Sequence, residues 1–340
     1  MKLFDVSEVV EAVEIDDRRK LDVPCKLRQL KIAAKAVGER NEFALDVPDL
    51  GPCPMDGWAA TQLLQKRLKI PVDFLADRCS ENLAQQIIDH FLLVEPPRAL
   101  LVRLRDTDEG HRVRAVLPAS FVRFDNRDFV DIAGDVADEY KLEVEQYRIT
   151  DLGFYCRLLS PESVDAGARG VPDPHHFGFF FRSSEVGYGV PEAHLTVVRQ
   201  VCSNGALGIA DEPLMRLHAS SLHSLDRQRL VEQFRAGLND GLRRCDRVID
   251  VIRGSREKVV KVEDIDREFR AIHRAHGLSL RNLEIVRAAF RRESNGLSSK
   301  EATVFELAGA LNRAAQCLPS EDAMNYETAA WRMMADGWRN

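Results

Sequence analysis

The residues of this chain whose types could do chemistry gather between Phe177 and Gly205, in FGFFFRSSEVGYGVPEAHLTVVRQVCSNG. The stretch reads as two adjacent strands joined by a glycine turn, with Arg182, Ser183, Ser184, Glu185, Arg199, Cys202 and Asn204 where a plain core would be apolar. Glu185 is the first candidate for acid chemistry. A metal-dependent nuclease needs two or three acidic groups converging on a cation. Glu143 and Glu145, two apart on one strand face, are the acids available to join it. The competing reading makes Glu185 half of a buried ion pair with Arg199 or Arg114, which shapes the sheet and breaks no bond.

A second chemistry is phosphate binding. Arg112 and Arg114 alternate with apolar residues on one strand, and Arg182 and Arg199 lie on strands read as its neighbours. Four guanidinium groups on one sheet face suit phosphate oxygens. Phe177, Phe179, Phe181 and Tyr188 could stack bases in the manner of single-strand binders, although Phe179 and Phe181 share a face and are expected in the core. Nucleophilic catalysis has little to build on. Cys202 needs a general base, and His194, eight residues upstream on the same strand, is out of reach, so a structural thiol is expected. Asn204-Gly205 is a turn signal; with Glu185, Asn204 stands as a candidate ligand or ion-pair residue. Gly187-Tyr-Gly189 lacks the strand–GxGxxG–helix setting of a dinucleotide site. His273 and His276, three apart, have no evident third ligand.

Composition narrows the classes. The chain has 340 residues, 45% hydrophobic and 30% charged, ordinary for a folded protein. Its longest apolar runs fall far short of the roughly 20 residues of a membrane span. The acidic start predicts no secretory signal and a cytoplasmic protein. Seven cysteines at wide spacing, with no CxxC, predict free thiols and no zinc site. The net charge of −6 argues against a general polyanion binder. The charge is uneven, however: residues 221–300 hold 18 Lys+Arg against 12 Asp+Glu, while residues 1–220 hold 27 against 36. Basic helices beside an acidic body can meet nucleic acid or an acidic partner.

The elements that must position these groups follow from periodicity. Residues 1–50 read as a small β-rich entry, with strands at Lys26–Ile32 and Asn41–Val47. Helices are expected at Asp56–Leu68 and from Ser80 to Leu93, and strands at Arg98–Arg105, His111–Leu117, Lys141–Ile149 and Phe154–Leu159. Between these lies a helix at Asn126–Asp138. Prolines and glycines over 160–175 predict a long exposed loop, a mobile flap. After Pro213 helices dominate. One, at 226–253, carries Arg227, Arg235, Arg243, Arg244 and Arg247 opposite its apolar face; Ile265–His276, Leu280–Arg292, Ala302–Cys317 and Asn325–Trp338 follow. Ser298-Ser-Lys-Glu301 resembles a capping box for the helix at Ala302.

Four pieces also resemble a family of phage- and plasmid-encoded proteins catalogued as domain of unknown function 932. They are Leu68-Lys-Ile-Pro-Val-Asp-Phe-Leu75, Val113-Arg-Ala-Val-Leu-Pro-Ala-Ser-Phe121 with Asp125-Asn126, Phe179-Phe-Phe-Arg-Ser-Ser-Glu-Val-Gly187, and Val198-Arg-Gln-Val-Cys-Ser-Asn-Gly205. The match runs over about residues 55–315 in the family's order. Ser183 departs from the family's usual Asn before SEVG. Pro118, Ala119 and Phe121 depart from its Ser-Asp and Tyr, which removes a carboxylate and a hydroxyl from that turn. The resemblance implies a mobile-element setting and a role in DNA metabolism, with no reaction attached.

The expectation is therefore an α+β protein: a central twisted, mainly antiparallel sheet with helices on one side, then a helical C-terminal region. Its stretches are 1–95, a small β and helical part; 96–215, the sheet core; and 216–340, helical. Its expected function is non-catalytic binding of single-stranded DNA, annealing-type, as a homo-oligomer, through Arg112, Arg114, Arg182, Arg199, Arg235, Arg243, Arg244 and Arg247. No cofactor or membrane is implied. The alternatives are a protein-binding defence or counter-defence module, and a metal-dependent nuclease using Glu185 with Glu143 or Glu145.

Overall fold

The structure is a computed structural model that describes residues 5–121, 123–166, 173–199, 206–209, 215–216, 232–233, 235–237, 239, 245–293 and 301–337. It is α+β, built on a six-stranded antiparallel sheet. That sheet has the order β11 (Ala206–Ile209), β10 (Glu192–Arg199), β9 (Pro174–Ser183), β8 (Phe154–Asp165), β7 (Glu143–Ile149), with β12 (Met215–Arg216) also on β10. Alternation sends Phe154, Cys156, Leu158, Phe179, Phe181, Leu195 and Val197 into one core. Helix α5 (Asn126–Tyr140) lies over this face; Phe129 meets Phe154 and Phe181 edge-on, at 6.1 and 5.8 Å. Full burial of each ring stabilises by about 2–3 kcal/mol.

The chain opens with a helix, α1 (Val6–Asp17), where a β-rich entry is expected. Asp5 caps it by accepting from the Ser7 amide at 2.8 Å. Val9 and Val13 are buried in the same core, with Val6 packed against it. Their spacing is helical, and it is α5 beneath them that overrides the strand preference of valine.

Two smaller sheets follow. One orders β1 (Lys20–Lys26), β5 (Ala99–Thr107) and β6 (Gly110–Pro118); the other orders β2 (Lys31–Val37), β3 (Arg40–Val47) and β4 (Gly51–Pro54). Between them sits a second core containing Leu27, Leu45, Leu63, Leu64, Ile88, Leu100, Val102 and Val113. The division at 95/96 runs through this core, because β1 pairs with β5 in register from Lys20↔Arg105 to Lys26↔Ala99. Helix α2 (Gly57–Ala60) continues as a π-helix over Thr61–Arg67, and α3 (Val72–Asp77) and α4 (Glu81–Val94) close this part. Side chains of α4 cap the β2 edge: Gln85 accepts from the Ala34 amide and Glu81 from the Ala36 amide, both at 2.9 Å.

Among the described residues, the long loop expected at 160–175 is strand at 160–165 and 174–175, while 167–172 lie outside them. β8 runs on to Asp165 and β9 begins at Pro174, with the register shifting between Leu159 and Ser163. Pro161 falls in that bulge, where no ladder bond asks for its missing N–H. Gly178 faces Leu159 there, and a Cβ on it would come 2.7 Å from the Leu159 Cα.

The described C-terminal part holds α6 (Cys245–Glu257), β13 (Val259–Lys261), α7 (Ile265–Ala275), α8 (Leu283–Glu293), β14 (Glu301–Thr303), α9 (Val304–Ala315) and α10 (Ser320–Asp336). The capping box lies later than expected. Thr303 and Glu306 form it, with the Glu306 amide donating to Thr303 Oγ1 at 3.2 Å and the Thr303 amide to Glu306 Oε2 at 2.7 Å; Glu301 is in a strand.

Candidate functional site

The Ser183–Gly187 turn leaves the end of β9 and plugs the seam between the two cores. Glu185 is 1% exposed. Its Oε1 accepts from Lys20 Nζ at 2.6 Å and from the Asn126 amide, the first of α5, at 2.9 Å. Its Oε2 accepts from Arg114 Nη1 at 3.3 Å. The carboxylate also stands at the positive end of the α5 dipole. Burial penalises its charge, but Lys20, Arg114 and the Asn126 hydrogen bond outweigh the penalty and hold it below the usual carboxylate range.

The network spreads from there. Lys20 also meets Asp16 at 2.9 Å and Asp17 at 3.3 Å, at the end of α1. Arg103 Nη1 donates to the Glu185 carbonyl at 2.9 Å and reaches Asp125 at 2.7 Å, while its Nε meets Asp22 at 2.8 Å. Asp22 and Arg103 stand directly opposite on β1 and β5. Arg105 joins Asp16 at 2.6 Å to Asp151 at 2.7 Å. Burial opposes the Arg103 charge, but Asp125 and Asp22 overcome it and raise its affinity for the proton.

The rest of the turn is equally committed. Ser184 Oγ donates to the Leu152 carbonyl at 2.6 Å and accepts from the Tyr188 amide at 3.0 Å. The Val186 side chain joins Leu101, Ala115 and Leu117 in a small apolar cluster. Its carbonyl accepts from Gln62 Nε2 at 2.8 Å and Trp58 Nε1 at 2.9 Å, and Gln62 Oε1 accepts from the Val116 amide at 2.9 Å. Gly187, at φ +68°, turns the chain against Leu117 in a conformation that side chains disfavour.

The nuclease trio does not assemble. Glu143 is exposed on β7, and Glu145 lies 3.4 Å from Arg157. Arg157 is buried beneath α10 and takes Glu327 at 2.7 Å as its nearer partner. β8 and β9 separate these acids from Glu185, which faces two cations. Among the described residues no group of three or more His, Cys, Asp or Glu could hold a metal.

The four sheet arginines do not share a face either. Arg112 and Arg114 belong to the three-stranded sheet, Arg182 and Arg199 to the six-stranded one. Arg114 is spent on Glu185, and Arg112 meets Asp56 at 2.9 Å. Arg182 pairs with the buried Glu192 at 2.6 Å, to which His194 adds a contact at 3.2 Å. Arg199 ends β10 opposite His175, with its side chain outside the described residues. Of the basic helix, Arg235 meets Glu139 at 2.6 Å and Arg247 is exposed, whereas Arg243 and Arg244 lie outside the described residues, as do Cys202 and Asn204. Phe177, Phe179 and Phe181 are core, as their shared face implies. His273 is buried, its Nδ1 3.0 Å from the Ser279 carbonyl.

Lys20, Asp16, Asp22, Arg103 and Asp125 were not singled out from the sequence. Arg103 and Arg105, two apart beside the Arg112/Arg114 strand, were the available signal. Together these groups give an ionised, solvent-excluded carboxylate whose near partners are donors and which anchors three elements. Comparison with family models, with curated proteins and with solved structures finds no match.

Proposed function

We propose that the protein binds single-stranded nucleic acid without cleaving it, through exposed arginines of its C-terminal helices. One observation carries this reading. Arg267, Arg270 and Arg274 recur at three- and four-residue spacing on α7, so they form one stripe, and all three are exposed. Behind the stripe, Phe269 and Ile272 anchor the helix in the core. Arg281, Arg291 and Arg292 are exposed in the same basic segment. Unlike Arg112, Arg114 and Arg182, these six have no ion-pair partner among the described residues. Free guanidinium groups on a rigid helix suit a phosphate backbone, whose binding releases counterions and weakens with salt. The resemblance noted in the sequence supports a setting in the DNA metabolism of a mobile element, where a homo-oligomer would multiply such stripes along a strand.

Fluorescence anisotropy with a labelled oligonucleotide at low and moderate salt tests the reading. Micromolar protein is expected to bind with salt-dependent affinity, and Arg267→Glu/Arg270→Glu/Arg274→Glu to weaken binding and flatten the salt slope by about three contacts. Lack of salt-dependent binding by the parent protein, or an unchanged slope in the triple variant, refutes it.

A further inference from the structure

The outer side of the Val186 turn carries rings that the Glu185 network does not use. Trp58 is fixed by its Nε1 donating to the Val186 carbonyl at 2.9 Å. Tyr188, two residues further along the turn, is 46% exposed and meets Trp58 edge-on, with centroids 5.0 Å apart and planes at 77°. Lys66, exposed at the end of the π-helix, places Nζ 4.0 Å from the centre of the Trp58 ring. The backbone behind Tyr188 is rigid: its amide donates to Ser184 Oγ at 3.0 Å, and Gly187 before it packs on Leu117. Arg112, 44% exposed, is paired with Asp56 at the start of the same helix, so Lys66 is the cation this corner offers.

A large ring held out to solvent on a fixed turn, braced by an indole that carries an exposed lysine, has the composition of a stacking step for a planar, negatively charged ligand. We infer that the Trp58–Tyr188–Lys66 corner stacks one unpaired base of a bound strand on Tyr188, with Lys66 taking the adjoining phosphate. The inference rests on the reading that this protein binds single strands, and adds where a base goes.

The test uses the full chain with Trp331→Phe and Trp338→Phe, which leaves Trp58 as the sole indole among three tryptophans. It is titrated with an oligothymidylate about ten nucleotides long, within the usual site size of single-strand binders. Trp58 emission is expected to be quenched. Tyr188→Ala is expected to weaken binding about 5- to 100-fold, and Tyr188→Phe, which keeps the ring, to bind like the parent. If the strand binds with its full salt slope while Trp58 emission stays constant and Tyr188→Ala equals the parent, the corner is refuted and the arginine stripe stands. If no oligonucleotide binds, the single-strand reading fails and the corner, which rests on it, fails with it.

Discussion

Glu185→Gln is the sharpest perturbation of this molecule, because it keeps the shape of the side chain and removes only its charge. Lys20 retains Asp16 at 2.9 Å and Asp17 at 3.3 Å, so it keeps compensation. Arg114, whose side chain is 3% exposed, loses the carboxylate at 3.3 Å that balances it. Stranding a buried partner costs about 3–5 kcal/mol, and with only one cation stranded the expected loss is near 3 kcal/mol. Urea unfolding followed by circular dichroism measures it as a lowered midpoint at unchanged m. Arg112→Ala, which breaks a half-exposed pair, is the control and is expected to cost under about 1 kcal/mol. Arg114→Met/Glu185→Leu is expected to recover much of the loss, since an apolar pair needs no compensation. The pH dependence has a definite sign. The folded pKa lies below the ordinary 4.5, so the stabilisation is complete above pH 4.5 and is lost as pH falls through the folded value. The gap between parent and Glu185→Gln is therefore constant above pH 4.5 and closes below it. A Glu185→Gln protein within about 0.5 kcal/mol of the parent at neutral pH would refute the reasoning, because a change of that size is what an ordinary surface substitution produces.

Gly178→Ala is expected to destabilise by about 3 kcal/mol or more, seen as a lowered thermal midpoint, because the new methyl falls on the Leu158 carbonyl oxygen and neither backbone can yield. Glu327→Ala leaves Arg157 with Glu145 alone, at 3.4 Å, and is expected to speed amide exchange across α10, read by mass spectrometry. Burial pushes the Cys156 thiol up to about 12, so at pH 8 it is expected to resist alkylation while the exposed Cys317 reacts, as peptide mapping will show.

Much of the fold was legible because local pattern and burial agree. Asn41–Val47, Ser80–Leu93, His111–Leu117 and Asn126–Asp138 each appear within a few residues of their expected bounds. The misses have physical causes. In α1 the valines suggest a strand, and only the surface of α5 selects the helical face. Pro161 announces a loop unless a bulge can accommodate it, and bulges leave no local mark. Arg112, Arg114, Arg182 and Arg199 form one phosphate-binding face only if their strands are neighbours in one sheet. Strand order is a long-range property, and it placed Arg114 against Glu185 and left Arg182 with Glu192. Arg114, an expected partner of Glu185, is found on it, and the Arg199 side chain lies outside the described residues; Lys20, the nearer cation, is 165 residues away in sequence and has no mark in local spacing.

That separation also orders events in time. While the chain is being synthesised, Lys20 and β1 emerge long before the strand and turn they require. β1 must wait for Ala99–Thr107, and Lys20 for Glu185, 165 residues later. Contacts this distant slow folding, because the intervening loop has to close before they return any stabilisation. Until then the Asp16 and Asp17 carboxylates, which Lys20 also meets, are its only partners on α1.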